Sequence, residues 1–330
     1  KALKPLLEPG QEGPRWDVTT VDGEHREFDA VCVCTGHLTK PLHLPEFQDT
    51  FQGTYLHSHD YKEPEPMVGK RVCVVGVGNS ALDVASDVCV NAKRCVLVAR
   101  SGVWIAPKLM FGVPFTDLTD YFMKSWVPSW LRKKLIALLI WCAHGNPTKL
   151  GLPPVTVRVH ATSSGSVVND IAYQRVEVKH GIERIDGQTV YFTDGTSDEF
   201  DVLVAATGYL IDLPFLSEDI VPTANNKVRL WKRIMSPKWP GLYCVGMLNV
   251  ASHSNLWAYE RQVLWLREFI LGKAEPPSID EMDLDNDAKD RFIAKEFKAT
   301  SRHTIEEEPV RYFPELTKSL QAARRRASRP

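Results

Sequence analysis

The chain has 330 residues, of which 44% are hydrophobic and 25% are charged, a composition typical of a globular protein. Such a length suggests about two domains. The formal net charge of -1 gives no electrostatic reason to expect a nucleic acid as a partner.

The first apolar segment has the pattern of a strand, a turn and a second strand. It opens with Trp16-Asp17-Val18, turns at Asp22-Gly23 and runs from Phe28-Asp29 to Thr35-Gly36. An Asp-Gly pair between apolar runs favours a tight turn. The segment therefore predicts a hairpin followed by a buried strand that ends in a glycine turn.

The seven cysteines have neither the CxxC spacing nor the Cys/His spacing of a metal site, so we predict no metal. Cys32, Cys34 and Cys73 lie in apolar, strand-like runs. We expect them to be buried thiols in a reducing compartment. The start, residues 1–4, lacks the apolar core of a signal peptide.

Next in the chain is the pattern FxGxxxHxxxY, formed by Phe51, Gly53, His57 and Tyr61. A single histidine in such a linker is more often a hydrogen-bonded structural residue than a base. We therefore assign His57 no acid–base role, and we name no catalytic residue.

A strand–turn–helix–strand unit follows. The strand at residues 71–75 leads into a turn of the form GxGxxA, and a second strand covers residues 95–99. The first glycine allows a sharp turn, the second lets the backbone approach a pyrophosphate, and the alanine lets helix and strand pack closely. The predicted cofactor-binding residues of this turn are Gly76, Gly78, Asn79, Ser80 and Ala81. The predicted packing face of the helix is Ala81, Leu82, Val84, Ala85 and Val88.

The residues after the second strand indicate which nucleotide binds. NAD-binding units usually carry an Asp or Glu there, which accepts a hydrogen bond from the ribose 2′-hydroxyl. Arg100 and Ser101 stand at this place. Because an arginine pairs with a 2′-phosphate, we predict that both residues bind NADP(H).

Residues 104–160 fit no clean strand pattern and are predicted to be a helical insertion. Their longest apolar run, residues 135–143, is shorter than the roughly 20 residues that span a bilayer. Two interpretations stay open for it. We favour a buried helix or the wall of a substrate tunnel; basic and Trp neighbours also permit contact with a membrane interface.

The first hairpin pattern recurs further along. Asp194-Gly195, Phe200-Asp201 and Thr207-Gly208 have the same offsets as their counterparts in the first copy. Matched spacing indicates two copies of one unit. We predict an α/β protein with two Rossmann-like dinucleotide-binding domains, the first of them incomplete because no strand–glycine turn–helix unit precedes it. The predicted domains are residues 1–66 with 209–330, and residues 67–208.

Several motifs together resemble the flavin-containing monooxygenases. The linker pattern FxGxxxHxxxY has the form and place of the motif that identifies this family. The turn at residues 76–80 looks like the family's NADPH turn, and Thr207-Gly208-Tyr209 looks like its late ATG-type turn. Thr35-Gly36-His37, with Pro41 and Pro45 after it, fits as well. The resemblance extends from about residue 15 to about residue 270 and implies a fold of the FAD/NAD(P)-binding type.

The resemblance also implies cofactors and a reaction. NADPH would reduce FAD, and the reduced flavin would form a hydroperoxide with O2. One oxygen atom would then pass to a small-molecule soft nucleophile, an amine nitrogen or a sulfide sulfur, as in the N-oxide-forming dimethylaniline monooxygenases. Thr35, Gly36, Thr207 and Gly208 would contact cofactor, and the linker motif would join the domains. The location would be cytoplasmic, although some members of the family sit on the endoplasmic reticulum membrane.

Two alternatives stay open. The family's FAD-phosphate glycine motif has no counterpart in this sequence, which leaves a non-catalytic NADP(H)-binding fragment as a second interpretation. A Baeyer–Villiger monooxygenase has a related linker motif but usually a Trp where this chain has Tyr61. The oxygenated substrate and the oligomeric state are not determined by the sequence.

Overall fold

The computed structural model describes residues 1–6, 16–155, 161–250, 254–296 and 304–329. The chain forms two compact units, residues 1–40 with 209–330 (unit 1) and residues 41–208 (unit 2). The sequence predicts the first boundary after residue 66, but it lies after residue 40. The reason is that a strand at residues 54–57 joins the sheet of unit 2.

Both units combine helices with strands. Residues 1–41 form β1 (Ala2–Pro5), β2 (Trp16–Thr19), β3 (His25–Phe28), β4 (Val31–Val33) and β5 (Lys40–Pro41). Unit 2 continues with α1 (Pro45–Gln48), β6 (Thr54–His57), β7 (Arg71–Val75), α2 (Asn79–Val88), β8 (Arg94–Val98), β9 (Ile105–Ala106), β10 (Leu109–Met110), β11 (Val113–Pro114), α3 (Phe115–Asp120), α4 (Ser129–His144), β12 (Thr162–Ser163), α5 (Val167–Ala172), β13 (Val176–Lys179), β14 (Ile182–Asp186), β15 (Thr189–Phe192), β16 (Ser197–Glu199) and β17 (Val202–Ala205). Unit 1 resumes with β18 (Tyr209–Leu210), β19 (Leu242–Cys244), β20 (Asn249–Val250), α6 (Asn255–Ile270), α7 (Ile279–Glu296), β21 (Glu306–Glu307) and α8 (Pro309–Ala327). Short 3-10 helices cover Glu65–Met67, Pro147–Leu150 and Ala224–Asn226.

Unit 2 is built on a five-stranded parallel sheet in the order β13-β8-β7-β17-β6. One hydrophobic cluster covers one face of the sheet and another covers the opposite face. Parallel sheets buried on both faces need continuous apolar strands, which explains the run Val72-Cys73-Val74-Val75 in β7. Helix α2 buries the predicted packing face, so the predicted β7–α2–β8 unit is confirmed.

The two hairpin copies fold alike. In unit 2, the antiparallel sheet β14-β15-β16 precedes β17; in unit 1, the antiparallel sheet β1-β2-β3 precedes β4. Each buried strand also has a parallel partner, β6 for β17 and β19 for β4. This equivalence confirms the repeat that the sequence predicts.

Each partner strand is preceded by a glycine that touches the equivalent aspartate. A Cβ added at Gly53 would lie 2.7 Å from the carbonyl oxygen of Asp201, and one added at Gly241 would lie 2.4 Å from that of Asp29. Only a glycine lets the backbones come so close. The same contact therefore recurs in both units.

Strand β4 departs from the prediction at its cysteines. Val33 is buried in the unit 1 core, whereas Cys32 and Cys34 are exposed. Successive residues of a strand face opposite sides, and the described residues leave the cysteine side of β4 uncovered. The prediction of buried thiols is wrong for these two and correct for Cys73, which is fully buried.

The predicted helical insertion is only partly helical. It begins with β9 and the β10–β11 hairpin, and helices α3 and α4 follow; residues 156–160 lie outside the described residues. Helix α4 buries only Arg132 and Ile140, and Leu138 and Trp141 are more than half exposed. The interpretation of this run as a buried helix is therefore wrong, whereas the wall of a substrate tunnel stays a prediction. Within the described ranges, no helix is long and apolar enough to cross a membrane.

Candidate functional site

The predicted nucleotide residues of unit 2 share one edge of its sheet. Because all five strands are parallel, their carboxyl ends lie side by side. Gly76 follows β7, Arg100 follows β8, Thr207 follows β17, and His57 ends β6. Ligands of open α/β sheets bind at this edge.

The turn after β7 is shaped for close backbone contact. Gly76 has a φ of +129°, and a Cβ there would meet the Ala206 carbonyl oxygen at 2.4 Å. Gly78 is the N-cap of α2 in an extended conformation, and no side-chain hydrogen bond caps the helix. The backbone N–H groups in the first turn of a helix need hydrogen-bond acceptors, and the oxygens of a phosphate group can be these acceptors. The turn therefore fits the pyrophosphate of a dinucleotide.

Asn79 and Ser80 are exposed in the first turn of α2, and Ala81 is fully buried. The Asn79 side-chain oxygen accepts a hydrogen bond from the Ser163 backbone N–H at 3.0 Å. Asn79 thus ties the β12 segment to the start of α2. Sequence reasoning missed Ser163, because the two residues are 84 positions apart.

Arg100 and Ser101 are exposed after the buried Ala99. Arg100 forms no ion pair with any residue in the described ranges. Lys179, which ends the neighbouring strand β13, is instead held by Asp194 at 3.2 Å and by Thr196 at 2.9 Å. Arg100 is thus the better placed of these two cations to bind a ligand phosphate.

The linker motif belongs to unit 2, and its residues hold strand β6 in the sheet of that unit. Phe51 lies in the core with 6% exposure. A Cβ at Gly53 would lie 2.7 Å from the Phe51 ring. The Tyr61 hydroxyl donates to Asp87 of α2 at 2.6 Å; burial and this hydrogen bond raise the pKa of Tyr61. Phe51, Gly53 and Tyr61 are therefore positioning residues of the fold.

His57 is fully buried at the end of β6. Its Nδ1 accepts the His59 backbone N–H at 3.0 Å. Its ring centroid lies 5.3 Å from that of His43. Burial lowers the pKa of His57, and His43 lowers it further. A buried neutral ring that accepts from the backbone of the following turn suits a structural role at the end of β6.

Gly208 and Thr207 form the turn after β17. Gly208 has a φ of +99° and accepts the Leu42 N–H at 3.0 Å, while the Thr207 hydroxyl donates to the Leu42 carbonyl. These bonds fix the turn at the sheet edge but occupy the Thr207 hydroxyl. The structure thus brings this turn, the Gly76 turn, Arg100 and His57 to one edge.

Unit 1 has its own carboxyl edge, where Thr35 and Gly36 follow β4 and Gly246 follows β19. Thr35 is exposed, and Gly36 has a φ of +72° with no atom within 4 Å of its Cβ position. The backbone there can be approached closely by a planar ring. His37, next to this turn, binds the Gly246 carbonyl through Nδ1 at 3.1 Å. The Thr35–Gly36 turn is therefore open at the carboxyl edge of unit 1.

Comparison with known proteins agrees with this geometry. The family model described as "Flavin-binding monooxygenase-like" matches residues 9–325. Flavin-containing monooxygenase 5 of Homo sapiens is 32% identical over 324 residues, which cover 92% of this chain and 59% of that protein. Flavin-containing monooxygenase 3 of Canis lupus familiaris is 30% identical and covers 93% and 60%, respectively. The chain thus spans about three fifths of the length of these curated relatives.

Solved structures share the fold. S-allyl-L-cysteine S-oxygenase from Allium sativum superposes with a TM-score of 0.62 at 23% identity, over 97% of this chain and 61% of that one. A cyclohexanone monooxygenase mutant from Rhodococcus sp. Phi1, bound to NADP+, has a TM-score of 0.64 at 16% identity, over 94% and 76%.

The fold and the glycine turn define an α/β protein of the Rossmann type that binds dinucleotides. The chain belongs to the flavin-binding monooxygenase family. Members of this family are flavoprotein monooxygenases that depend on FAD and NADPH.

Proposed function

We propose that the protein is an NADPH- and FAD-dependent monooxygenase that transfers one oxygen atom from O2 to an amine nitrogen or a sulfide sulfur of a small molecule. The observation that carries the proposal is the carboxyl edge of unit 2, where a glycine turn opens the uncapped helix α2 and an exposed arginine, not a carboxylate, follows β8. The family's dependence on both cofactors supports it.

Each residue at this edge has a physical task in the proposal. The first-turn amides of α2 bind the pyrophosphate of NADPH. Arg100 pairs with the 2′-phosphate, and Ser101 donates a hydrogen bond to it. Asn79 holds the β12 segment beside the nucleotide. When bound, NADPH supplies hydride and FAD supplies the oxygen activation, so the chain needs no catalytic triad or metal of its own.

In unit 1, Thr35 and Gly36 lie on the proposed flavin side. The backbone at Gly36 admits a flat ring because no described atom occupies its Cβ position.

The seven cysteines are free thiols, which supports a reducing, cytoplasmic location.

A direct experiment incubates the purified chain with FAD, NADPH and a tertiary amine or a sulfide, and measures NADPH oxidation and the oxygenated product. We expect NADPH oxidation coupled to formation of the N-oxide or the S-oxide, and less turnover with NADH. NADPH oxidation that never yields an oxygenated product would contradict the proposal, and a lactone formed from a cyclic ketone would favour Baeyer–Villiger chemistry.

A second candidate is an NADP(H)-binding protein that does not hold FAD. The contrast between the units favours it: unit 2 has a complete five-stranded parallel sheet, whereas the parallel pair β4–β19 of unit 1 has two strands. A protein that binds NADPH but shows no binding in an FAD titration followed by flavin fluorescence would support this candidate over the monooxygenase.

A further inference from the structure

Both units carry a histidine at the ends of the equivalent parallel strands, but the two histidines are bonded differently. In unit 1, His37 follows the Thr-Gly turn of β4 and binds Gly246 beyond β19. In unit 2, His57 ends the partner strand β6 and accepts the backbone N–H of nearby His59. The difference between these two histidines indicates different roles.

Two sets of hydrogen bonds meet at Gly246 in unit 1: its carbonyl oxygen binds His37, and its N–H begins a buried chain of bonds. The Gly246 N–H donates to Gln262 Oε1 at 2.9 Å, Gln262 Nε2 donates to Tyr312 Oη at 2.8 Å, and Tyr312 Oη donates to the Lys232 carbonyl at 2.8 Å. Gln262 and Tyr312 are both fully buried. Water therefore offers neither side chain an alternative partner.

The direction of every bond in this chain is determined. The Lys232 carbonyl can only accept, so Tyr312 must donate to it and accepts from the Gln262 amide nitrogen. A flipped Gln262 would set its NH2 group against the Gly246 N–H, at the cost of an unsatisfied donor. These bonds hold the peptide group before Gly246, whereas the Gly246 carbonyl belongs to the peptide group after it. That carbonyl can only accept, so His37 Nδ1 must carry a proton whatever the orientation of Gln262.

The other nitrogen of His37 is left for a ligand. Burial lowers the pKa of His37, although the Gly246 bond and the charge of Glu306 oppose this. In the neutral ring with the proton on Nδ1, Nε2 is an acceptor. His37 Nε2 makes no hydrogen bond with a residue in the described ranges. His57 differs, because its Nδ1 already accepts from His59 and its ring is fully buried.

We propose that His37 is a ligand-binding residue of unit 1: its Nε2 accepts a hydrogen bond from a hydroxyl or N–H group of the flavin at the carboxyl edge of β4 and β19. The Gly246 carbonyl sets the tautomer of His37 that this contact requires, and Gln262 and Tyr312 hold the Gly246 N–H beside it. The inference rests on the proposed function, since it takes FAD as the ligand.

The tautomer is tested without any cofactor. Nitrogen-15 NMR of the full chain distinguishes a protonated Nδ1 from a protonated Nε2, and the spectrum of His37→Asn assigns the His37 signals. We expect His37 to be protonated on Nδ1 alone both in the unsubstituted chain and in Tyr312→Phe, because the Gly246 carbonyl accepts from Nδ1 in both proteins. Protonation on Nε2 in the unsubstituted chain would overturn the inference.

Ligand contact is tested by titration with FAD, followed by flavin fluorescence. In His37→Asn, the amide NH2 keeps the bond to Gly246 but no acceptor replaces Nε2; in His37→Gln, the amide oxygen reaches the place of Nε2. We expect FAD affinity to fall about five- to tenfold in His37→Asn and to change less than about twofold in His37→Gln. His25→Asn, at an exposed unit 1 histidine, is the matched control.

NADPH affinity is measured alongside and should stay unchanged in all of these variants. Equal FAD affinity in His37→Asn and the unsubstituted chain overturns the inference, and so does the absence of FAD binding to the unsubstituted chain. Oxygenation assays separate the two proposals. If the unsubstituted chain oxygenates amines and His37→Asn binds FAD normally, the role of His37 is refuted and the proposed function is not.

Discussion

The position of strand β6 depends directly on Gly53. Any side chain there meets both the Asp201 carbonyl oxygen and the Phe51 ring at 2.7 Å. We predict that Gly53→Ala lowers the free energy of unfolding by about 1–3 kcal/mol, because backbone or core must shift to admit the methyl group. Urea unfolding of both proteins measures the difference.

Gly165→Ala is the matched control, since the nearest atom to its added Cβ is the Lys108 Cδ at 3.5 Å, the flexible part of a long side chain. Its free energy of unfolding should change by no more than about 0.5 kcal/mol. An equal loss in both variants would show that the close approach at Gly53 is not the cause.

Arg100 decides the nucleotide in the proposed function. We predict that Arg100→Ala raises the Kd for NADPH about tenfold to a hundredfold, because charge-assisted hydrogen bonds to the 2′-phosphate are lost. The Kd for NADH should change less than about twofold. Titration with each nucleotide measures both values, and Arg184→Ala, at another arginine of unit 2 that is partly exposed, is the control. An equal loss for both nucleotides would refute the assignment.

His57 makes stability depend on pH. Its pKa is lower in the folded chain than its ordinary value because the ring is buried, so the unfolded chain binds the proton more readily. The neutral ring stabilises the fold fully above an ordinary pKa of about 6.5, and this contribution is lost as the pH falls below that value.

We therefore predict that the free energy of unfolding falls more steeply between about pH 7.5 and about pH 5.5 in the unsubstituted chain than in His57→Asn. Asparagine keeps an acceptor for the His59 N–H but does not titrate. Some dependence remains in the variant, because burial also lowers the pKa of His37 and His144. If the free energy of unfolding depends on pH equally in the two proteins, His57 has the same pKa in the folded and the unfolded chain.

At the scale of elements, the sequence predicts best what is local and periodic. The β7–α2–β8 unit, with the packing face of α2, follows from a spacing that is physically required for a close turn and a buried helix face. The amphipathic pattern of residues 256–271 also predicts a helix, and helix α6 forms over Asn255–Ile270. Its N-cap Ser254, which accepts the Trp257 N–H, is a signal that sequence rules recognise.

Contacts between segments that are far apart in the chain cannot be predicted from a single sequence. The bond from His37 to Gly246 joins residues 209 positions apart, and Gln262 reaches Tyr312 across 50. No local period encodes such pairs. The exposure of Cys32 and Cys34 was missed for a related reason: an apolar strand looks the same whether one face or both faces are covered.

Helix α4 and its surroundings present an apolar surface with basic neighbours. Trp126, Trp130 and Trp141 are all more than half exposed, and the Lys134 ammonium lies 5.3 Å from the centre of the Trp130 ring. Exposed tryptophans beside lysines suit the boundary between lipid headgroups and acyl chains. Contact with a membrane interface therefore stays a prediction.

We predict that the chain sediments with vesicles containing phosphatidylglycerol, and that added salt weakens the binding. Trp130→Ser combined with Trp141→Ser should reduce the bound fraction at least about threefold, because interfacial binding scales with buried apolar area. Tyr173→Ser, at an exposed aromatic residue elsewhere in unit 2, is the control. No binding to these vesicles would contradict the prediction.

At the scale of the whole molecule, the two units are variations on one plan. Each has its own hydrophobic clusters, and each places a Thr-Gly turn at the carboxyl end of its buried strand. The separate cores explain why a change at the unit 1 edge is expected to spare NADPH binding in unit 2. Cofactor binding by the two units can therefore be measured independently.

The repeat also predicts how the units differ in affinity. Strand β17 has parallel partners on both edges, β7 and β6, and β7 leads into the glycine turn. Strand β4 pairs with β19, and the described residues place no counterpart of β7 on its other edge. A glycine turn at a helix start supplies much of the binding to a pyrophosphate. We predict that the 330 residues alone bind FAD weakly and lose it during gel filtration.

Adding a strand, a glycine turn and a helix before Lys1 should place a glycine turn beside β4, like the turn after β7, and retain about one FAD per chain. The matched control carries the same extension with valines in place of the turn glycines, which blocks approach of the backbone to the phosphate. Flavin absorbance after gel filtration measures occupancy in all three proteins. Full occupancy of the 330-residue chain, or of the valine control, would show that the unit 1 edge holds FAD without a glycine turn.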